Sequence, residues 1–193
     1  MIKNRLKNIN IAFLIFLFLS VFCQPAQTSE NWGRKTKELK KGFDLSEKIY
    51  KESLIEMQWG EIKSAEKKLI DFFKKYPAYS SNNSLKYAAA LAKYNLKKYS
   101  EALEYLEGLN NASEVFLAAI CLESKGQFLE AVTNYQNVLA LEKADDIREE
   151  LEFRIGVCFL LSGNAFAAAD TFRQITENYP ASRLNAYERY MMS

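Results

Sequence analysis

Four alanines begin the same short pattern, in which a bulky side chain follows the alanine four residues later: Ala65, Ala102, Ala131 and Ala168. They recur 37, 29 and 37 residues apart, which gives a mean period of roughly 34 residues. A unit that recurs at this period cannot bury its apolar face alone and must stack on its neighbours. The spacing therefore predicts a solenoid of about four units.

The most complete copy reads Ile155-Gly156-x2-Phe159, then Gly163, then Ala168-x3-Phe172, then Pro180. This order and spacing resembles the tetratricopeptide repeat, a helix-turn-helix unit of about 34 residues. The resemblance implies an all-α fold, a right-handed α-solenoid of about four such repeats with a C-terminal capping helix over residues 182–193. The alternative is an ordinary helical bundle whose alanines coincide.

Small residues and glycines recur in step with these alanines. Small side chains at Ala90, Ala119 and Gly156 would let the first helix of each unit, helix A, approach the second, helix B. Glycines at positions 60, 126 and 163 stand where the chain leaves helix A, a place that favours a left-handed backbone. After residue 42 no stretch shows the strict alternation of a half-buried strand, so we expect helices throughout.

The chain starts like an exported protein. Residues 1–10 carry three basic side chains and no acid, and an apolar run follows from Ile11 to Phe22 with Ser20 as its one polar member. A basic segment followed by about a dozen apolar residues is the form of a secretory signal peptide. The run is short for a membrane span, which takes about 20 residues. We therefore predict a signal peptide over residues 1–22.

The sequence Leu19-Ser20-Val21-Phe22-Cys23 resembles a bacterial lipobox, in which the cysteine is acylated and becomes the first residue of the mature protein. It departs from that pattern at Phe22, where a small residue is usual. The resemblance implies lipidation at Cys23 and a tether to a membrane. The alternative is a short uncleaved anchor in which Cys23 is one more apolar residue. The sequence predicts a polar and basic tether over residues 23–42 and the solenoid over residues 43–193.

Charge and composition exclude several functions. The chain holds 26 Lys and Arg and 24 Asp and Glu, and without residues 1–22 the balance is 23 to 24, with no basic stripe that would predict nucleic-acid binding. It has no histidine, which excludes histidine-dependent triads and histidine metal sites. No glycine-rich phosphate loop occurs either. We expect no enzyme activity, no cofactor and no metal.

Two cysteines remain besides Cys23. Cys121 and Cys158 fall at equivalent positions of helix A in the third and fourth units. Equivalent positions in packed neighbouring helices should be about 10 Å apart, whereas a disulfide needs Cα atoms within about 7 Å. We therefore interpret both as buried apolar residues rather than as a disulfide, which is the alternative.

The resemblance also implies a binding site. In this family the ligand usually lies in a concave groove lined by helix A, and transferring that pattern gives the candidate partner-binding residues Tyr50, Leu54, Tyr87, Leu91, Tyr94, Phe116, Ile120 and Phe153. Aromatic side chains of this kind anchor interfaces. The alternative is that several of them are core between repeats. Family members that hold a terminal carboxylate use lysines and asparagines on successive A helices, at positions held here by Tyr50, Leu54, Tyr87 and Leu91. We therefore expect an apolar or aromatic peptide segment, or a helix of another protein, instead.

The mature chain resembles small tetratricopeptide-repeat lipoproteins of the bacterial envelope. The sequence Tyr179-Pro180-Ala181-Ser182 is similar to repeats of outer-membrane assembly lipoproteins and of the periplasmic repeat protein associated with the Tol-Pal system. The resemblance implies a non-catalytic scaffold that faces the periplasm and binds an envelope protein or peptide, with an outer-membrane lipid anchor. The alternatives are an accessory or regulatory subunit of an envelope enzyme or outer-membrane assembly complex, and an enzyme that uses carboxylates alone.

Overall fold

The computed structural model describes residues 27–141 and 145–180. The predicted signal peptide, Cys23 and the predicted capping helix lie outside the described residues. Within them the chain forms eight α-helices, one short 3-10 helix at Pro77–Tyr79 and no strand. The α-helices are α1 Gln27–Gln58, α2 Ile62–Lys75, α3 Asn83–Asn95, α4 Tyr99–Leu106, α5 Ala112–Ser124, α6 Phe128–Leu141, α7 Asp145–Leu161 and α8 Ala165–Asn178. The predicted all-α fold is confirmed.

The chain divides into two compact units, residues 1–45 and residues 46–193. The described part of the first unit is the beginning of α1, which starts at Gln27. Residues 27–42 of the predicted polar and basic tether are helical, and they contain no proline that would interrupt a helix. No described helix is long and apolar enough to cross a bilayer.

The second unit consists of four helix pairs. Residues 46–58 of α1 pair with α2, and the pairs α3 with α4, α5 with α6 and α7 with α8 follow. Buried clusters link each pair to the next helix A. One joins Ala90 and Ala102 to Cys121 of the next pair, and another joins Ala119 and Tyr135 to further residues of α7. Stability is therefore shared between neighbours along the stack, as in a solenoid.

The turn from helix A to helix B has one backbone design in all four pairs. The second residue after each helix A lies in the left-handed region of the backbone. Its φ is +82° at Gly60, +60° at Lys97, +77° at Gly126 and +85° at Gly163. Two backbone hydrogen bonds close each turn; at the third turn Gly126 N donates to Glu123 O and Gln127 N to Leu122 O, both at 2.9 Å. This is the hydrogen-bond pattern with which glycine ends many helices. The predicted left-handed glycines are confirmed.

The uneven spacing of the repeated alanines has a simple origin. Helix α4 is 8 residues long, whereas the other three B helices have 14. The interval of 29 residues between Ala102 and Ala131 spans this short helix. The first interval of 37 residues includes the extra 3-10 turn at Pro77–Tyr79. Helix A varies as well, since α7 has 17 residues and α3 and α5 have 13. The repeat keeps its helix pairing and changes in the lengths of its helices and of the outgoing loop.

Gly156 shows how closely the two helices of a pair approach. A Cβ atom at this position would lie 2.5 Å from Cε1 of Phe172, whose ring is buried in the fourth pair. Real side chains do not tolerate that distance, so the ring occupies the space that any larger residue would need. The close approach predicted at this position is confirmed.

Lys97 is the only described residue other than glycine with a positive φ. A side chain in this conformation costs about 1–2 kcal/mol. Glycine removes this cost, but it also increases the conformational entropy of the unfolded chain, which offsets part of the gain in stability. We therefore expect Lys97→Gly to raise the free energy of unfolding by about 0.5–1 kcal/mol. Urea denaturation measures it.

The matched control is Lys125→Gly, one residue before Gly126, where φ is −87° and the backbone is right-handed. At this position glycine relieves no backbone strain, so we expect the free energy of unfolding to fall by about 0.5–1 kcal/mol. Equal effects of the two substitutions would contradict this explanation.

Candidate partner-binding groove

The left-handed turn residue provides a common register for the four A helices. Ten residues before it stands an aromatic side chain in every repeat, which we call the ring row: Tyr50, Tyr87, Phe116 and Phe153. Six residues before it stands an aliphatic side chain, the aliphatic row: Leu54, Leu91, Ile120 and Val157. Seven of the eight predicted binding residues belong to these rows, and Tyr94 lies three residues before Lys97.

Every one of the eight predicted residues is half-buried. On one side they pack against the core. Tyr87, Leu91 and Tyr94 contact the buried cluster around Ala90 and Ala102. Phe116 and Ile120 contact the buried cluster around Ala119 and Tyr135. The remainder of each side chain is open to solvent. The two interpretations left open by the sequence, a surface residue and a core residue between repeats, therefore both apply. Each side chain packs between repeats with one part and is exposed at the surface with another.

In the second, third and fourth pairs, a ring of helix B supports a ring of helix A. Ring centroids lie 6.0 Å apart for Phe116 and Tyr135 and 5.8 Å apart for Phe153 and Phe172. Tyr94 meets Tyr99 in the same way at 5.8 Å. Tilted aromatic pairs at these distances add attraction beyond the burial of area. They hold the exposed edges of the A-helix rings in fixed positions.

Tyr87 is in electrostatic contact with both neighbouring A helices. Burial raises the pKa of its hydroxyl, and the nearby Tyr50 hydroxyl and Glu114 carboxylate raise it further. Glu114 is itself buried, and its carboxylate accepts hydrogen bonds from the backbone and side-chain nitrogens of Asn111 at 2.9 and 3.1 Å. Tyr87 is therefore close to the ring-row residue Tyr50 of the first repeat and to Glu114 of the third.

A polar centre that the sequence did not reveal lies between the third and fourth repeats. The buried Tyr135 donates from its hydroxyl to Oε2 of Glu123 at 2.5 Å. Arg154 of the next helix A donates to the same oxygen at 3.3 Å. Burial raises the pKa of the Tyr135 hydroxyl most, and the hydrogen-bonded Glu123 carboxylate raises it further. The available signal was Glu123, which stands at a helix-A position held by Met57, Tyr94 and Leu160 in the other repeats.

A second polar network ties the first two repeats together. Lys93 is buried, and its ammonium lies 2.8 Å from Glu66 Oε1 and 2.5 Å from Glu101 Oε2. Lys98 also contacts Glu66, at 2.9 Å. Burial opposes the charge on Lys93, but the two carboxylates outweigh it and the net pKa is raised. A buried ammonium held in this way depends strongly on its partners.

A small cavity opens beside the ring row. Its volume is about 180 Å³, and it is lined by Tyr87, Ala112, Ser113, Phe116, Val138 and Ile147. Two ring-row residues thus form one wall, and the start of α7 forms another. An apolar side chain of a partner would fit a space of this kind.

Cys121 and Cys158 are both buried free thiols. Burial raises the pKa of Cys121 to about 11 and that of Cys158 to about 12. Both are therefore unreactive thiols in the core, since the thiolate is the reactive form. The interpretation as apolar core residues is confirmed. Among the described residues, no group of three or more cysteine and carboxylate side chains could hold a metal ion.

Residues 150–182 match the tetratricopeptide-repeat family model. YrrB, a solved tetratricopeptide-repeat protein, is 20% identical with a TM-score of 0.60, and the match covers 75% of this chain and 72% of YrrB. The described helices therefore have the fold of solved tetratricopeptide-repeat proteins. The short helix α4 and the non-glycine turn at Lys97 distinguish the second helix pair from the other three.

Two other solved repeat proteins are also similar to this chain in fold. A tetratricopeptide-repeat protein from Parabacteroides merdae is 20% identical with a TM-score of 0.61, over 76% of this chain. The match spans 58% of that protein's length. MamA from Desulfovibrio magneticus is 16% identical with a TM-score of 0.59, over 70% of this chain and 76% of its own. A comparison with curated protein sequences found no match.

The network around Lys93 predicts how stability depends on pH. Hydrogen bonds from Lys93, then those from Lys98, hold the pKa of Glu66 below its usual value. A depressed carboxyl pKa stabilises the fold above the unfolded pKa and loses that contribution as pH falls through the folded pKa. We expect Glu66→Gln to lower the free energy of unfolding by about 1–2 kcal/mol at pH 7, and the difference to shrink below about pH 4.

The control for this measurement is Glu104→Gln, at an exposed position of α4. Urea denaturation of both variants at pH 7 and pH 3.5 separates a specific network from a general effect of charge. A Glu66→Gln variant as stable as the wild type at pH 7 would show that the network contributes nothing.

Proposed function

We propose that the chain is a non-catalytic scaffold that binds a protein or peptide partner along the face formed by the ring and aliphatic rows. The observation that carries the proposal is the recurrence of a half-exposed aromatic side chain at one helix-A position in all four repeats. A core needs no such row at the surface, whereas rigid aromatic side chains supply large contact area at small entropic cost. Repeat solenoids use extended surfaces of this kind for binding.

The chemistry of the rows defines the partner. Rings and aliphatic side chains line the face in all four repeats, and the cavity beside Tyr87 and Phe116 accepts one apolar group. Glu123 and Arg154 add charge between the last two repeats. We infer that the partner offers an apolar stripe, as an amphipathic helix or an extended segment does. YrrB, described as having an unusual peptide-binding site, supports a peptide-like ligand.

We further propose that this scaffold is held at the bacterial envelope, facing the periplasm and anchored in the outer membrane through an acylated Cys23. The support is in the sequence: a basic start, an apolar run to Phe22 and a lipobox-like cysteine. A membrane tether would raise the effective concentration of the groove for partners in the same membrane. The partner would then be an envelope protein or a segment of one.

Site-specific photo-crosslinking in the native cell tests the groove. A benzophenone amino acid replaces Tyr87 in the full chain, and we expect a discrete cross-linked species whose mass identifies the partner. The same substitution at Tyr105, a half-buried tyrosine on helix B that stacks on Phe73, should give none. The cross-link from position 87 should weaken at least about tenfold when Phe116→Ala and Phe153→Ala remove neighbouring anchors.

Circular dichroism checks that these variants keep their helices, because both rings also pack against helix B. Cross-links of equal yield from positions 87 and 105, or a position-87 cross-link that survives the loss of both neighbouring rings, would contradict a binding face along the ring row.

A further inference from the structure

Large apolar side chains are exposed at the turns between helix A and helix B. We define the turn edge as the four six-residue segments around the left-handed residues: 58–63, 95–100, 124–129 and 161–166. Eight large hydrophobic residues are exposed among the described residues, and four of them fall on this edge. They are Trp59, Leu129, Leu161 and Phe166, with Trp59 76% and Phe166 86% exposed.

The topology places these side chains along one edge of the solenoid. Each turn joins a helix A to the antiparallel helix B that follows it, so successive turns stand side by side, about 10 Å apart. Leu129 and Phe166 have the same position in successive repeats, two residues before Ala131 and Ala168. The turn edge is distinct from the ring row, which lies ten residues before each turn.

The turn edge is also basic. Its four segments contain Lys63, Lys97, Lys98 and Lys125 and one acid, Glu61. Lys98 bonds Glu66, whereas Lys63, Lys97 and Lys125 are exposed and have no carboxylate partner within the described part of the chain. The ammonium groups of those three lysines remain available to an anionic surface.

We propose that the turn edge contacts an anionic lipid surface. Tryptophan is enriched at the level of lipid headgroups, and each basic residue near an anionic membrane strengthens binding roughly fivefold. Lysine, in contrast, is depleted from the cores of protein interfaces. Exposed rings and leucines on turns, surrounded by lysines, fit a bilayer surface better than a protein groove. The proposed lipid anchor at Cys23 would keep the edge beside a bilayer, so a weak contact suffices.

Trp59 is a built-in probe for this contact, since the chain has only two tryptophans, Trp32 and Trp59. The full chain carrying Trp32→Phe is reconstituted with vesicles of phosphatidylcholine, with or without phosphatidylglycerol. We expect Trp59 emission to shift to shorter wavelength and to be quenched by brominated acyl chains in the anionic vesicles, and to remain open to iodide in the neutral ones.

Two sets of variants make the test specific. Lys97→Glu combined with Lys125→Glu should abolish the quenching, whereas Lys67→Glu with Lys74→Glu, equal in charge but outside the turn edge, should preserve it. In a chain with both tryptophans replaced by phenylalanine, Phe166→Trp should be quenched by brominated lipid. Leu141→Trp, at an exposed position outside the turn edge, should not.

Three results would overturn the proposal. Trp59 emission could be the same in neutral and anionic vesicles; the charge-matched pairs of lysine variants could behave alike; or a blue shift could develop without vesicles as protein concentration rises, which would assign the edge to a second copy of the chain. None of these results bears on the groove, because the position-87 cross-link is measured separately.

Discussion

The close approach of helix A to helix B within each pair is the constraint on which the rest of the structure depends. Seven residues before each turn residue stands a small side chain, Ser53, Ala90, Ala119 or Gly156, and all four are buried. In the fourth pair the Phe172 ring already occupies the place of a Cβ. This contact fixes the rotation of each A helix about its axis. The residue three positions before the small residue and the residue one position after it are therefore both turned toward the surface. The ring row and the aliphatic row follow from this rotation.

This arrangement separates two surfaces with different chemistry. The helix-A face presents rings that are half in the core, and two of them, Phe116 and Phe153, are held by aromatic partners on helix B. The turn edge presents side chains such as Trp59 and Phe166 that contribute little to the core. A preorganised face suits a partner that must fit it, since few side chains need to be ordered on binding. Protruding residues between lysines suit a fluid surface that needs no fit.

The sequence predicted the architecture well because the repeat imposes the same requirement four times. Glycine at the turns and alanine in helix B are each favoured by a steric requirement, and that requirement recurs from repeat to repeat within one chain. The exceptions were hidden where another residue fills the same role: Lys97 holds a left-handed turn without glycine, and Ser53 fills the small position of the first pair with a hydroxyl that has no hydrogen-bond partner among the described atoms. The contact of Arg154 with Glu123, 31 residues away, depends on inter-repeat packing that no local pattern encodes. The binding role of the ring row remains a prediction.

The most direct test of the central claim, that one helix register brings rings of successive repeats into a single row, is the titration of Tyr87 by nuclear magnetic resonance with ring-labelled tyrosine. Burial, the Tyr50 hydroxyl and the Glu114 carboxylate together should raise the pKa of Tyr87 above its usual value near 10. Replacing Tyr50→Phe should lower the pKa of Tyr87 part of the way back, because one neighbouring negative charge is lost at high pH. A Tyr87 that titrates at the usual value, unaffected by Tyr50, would contradict the account.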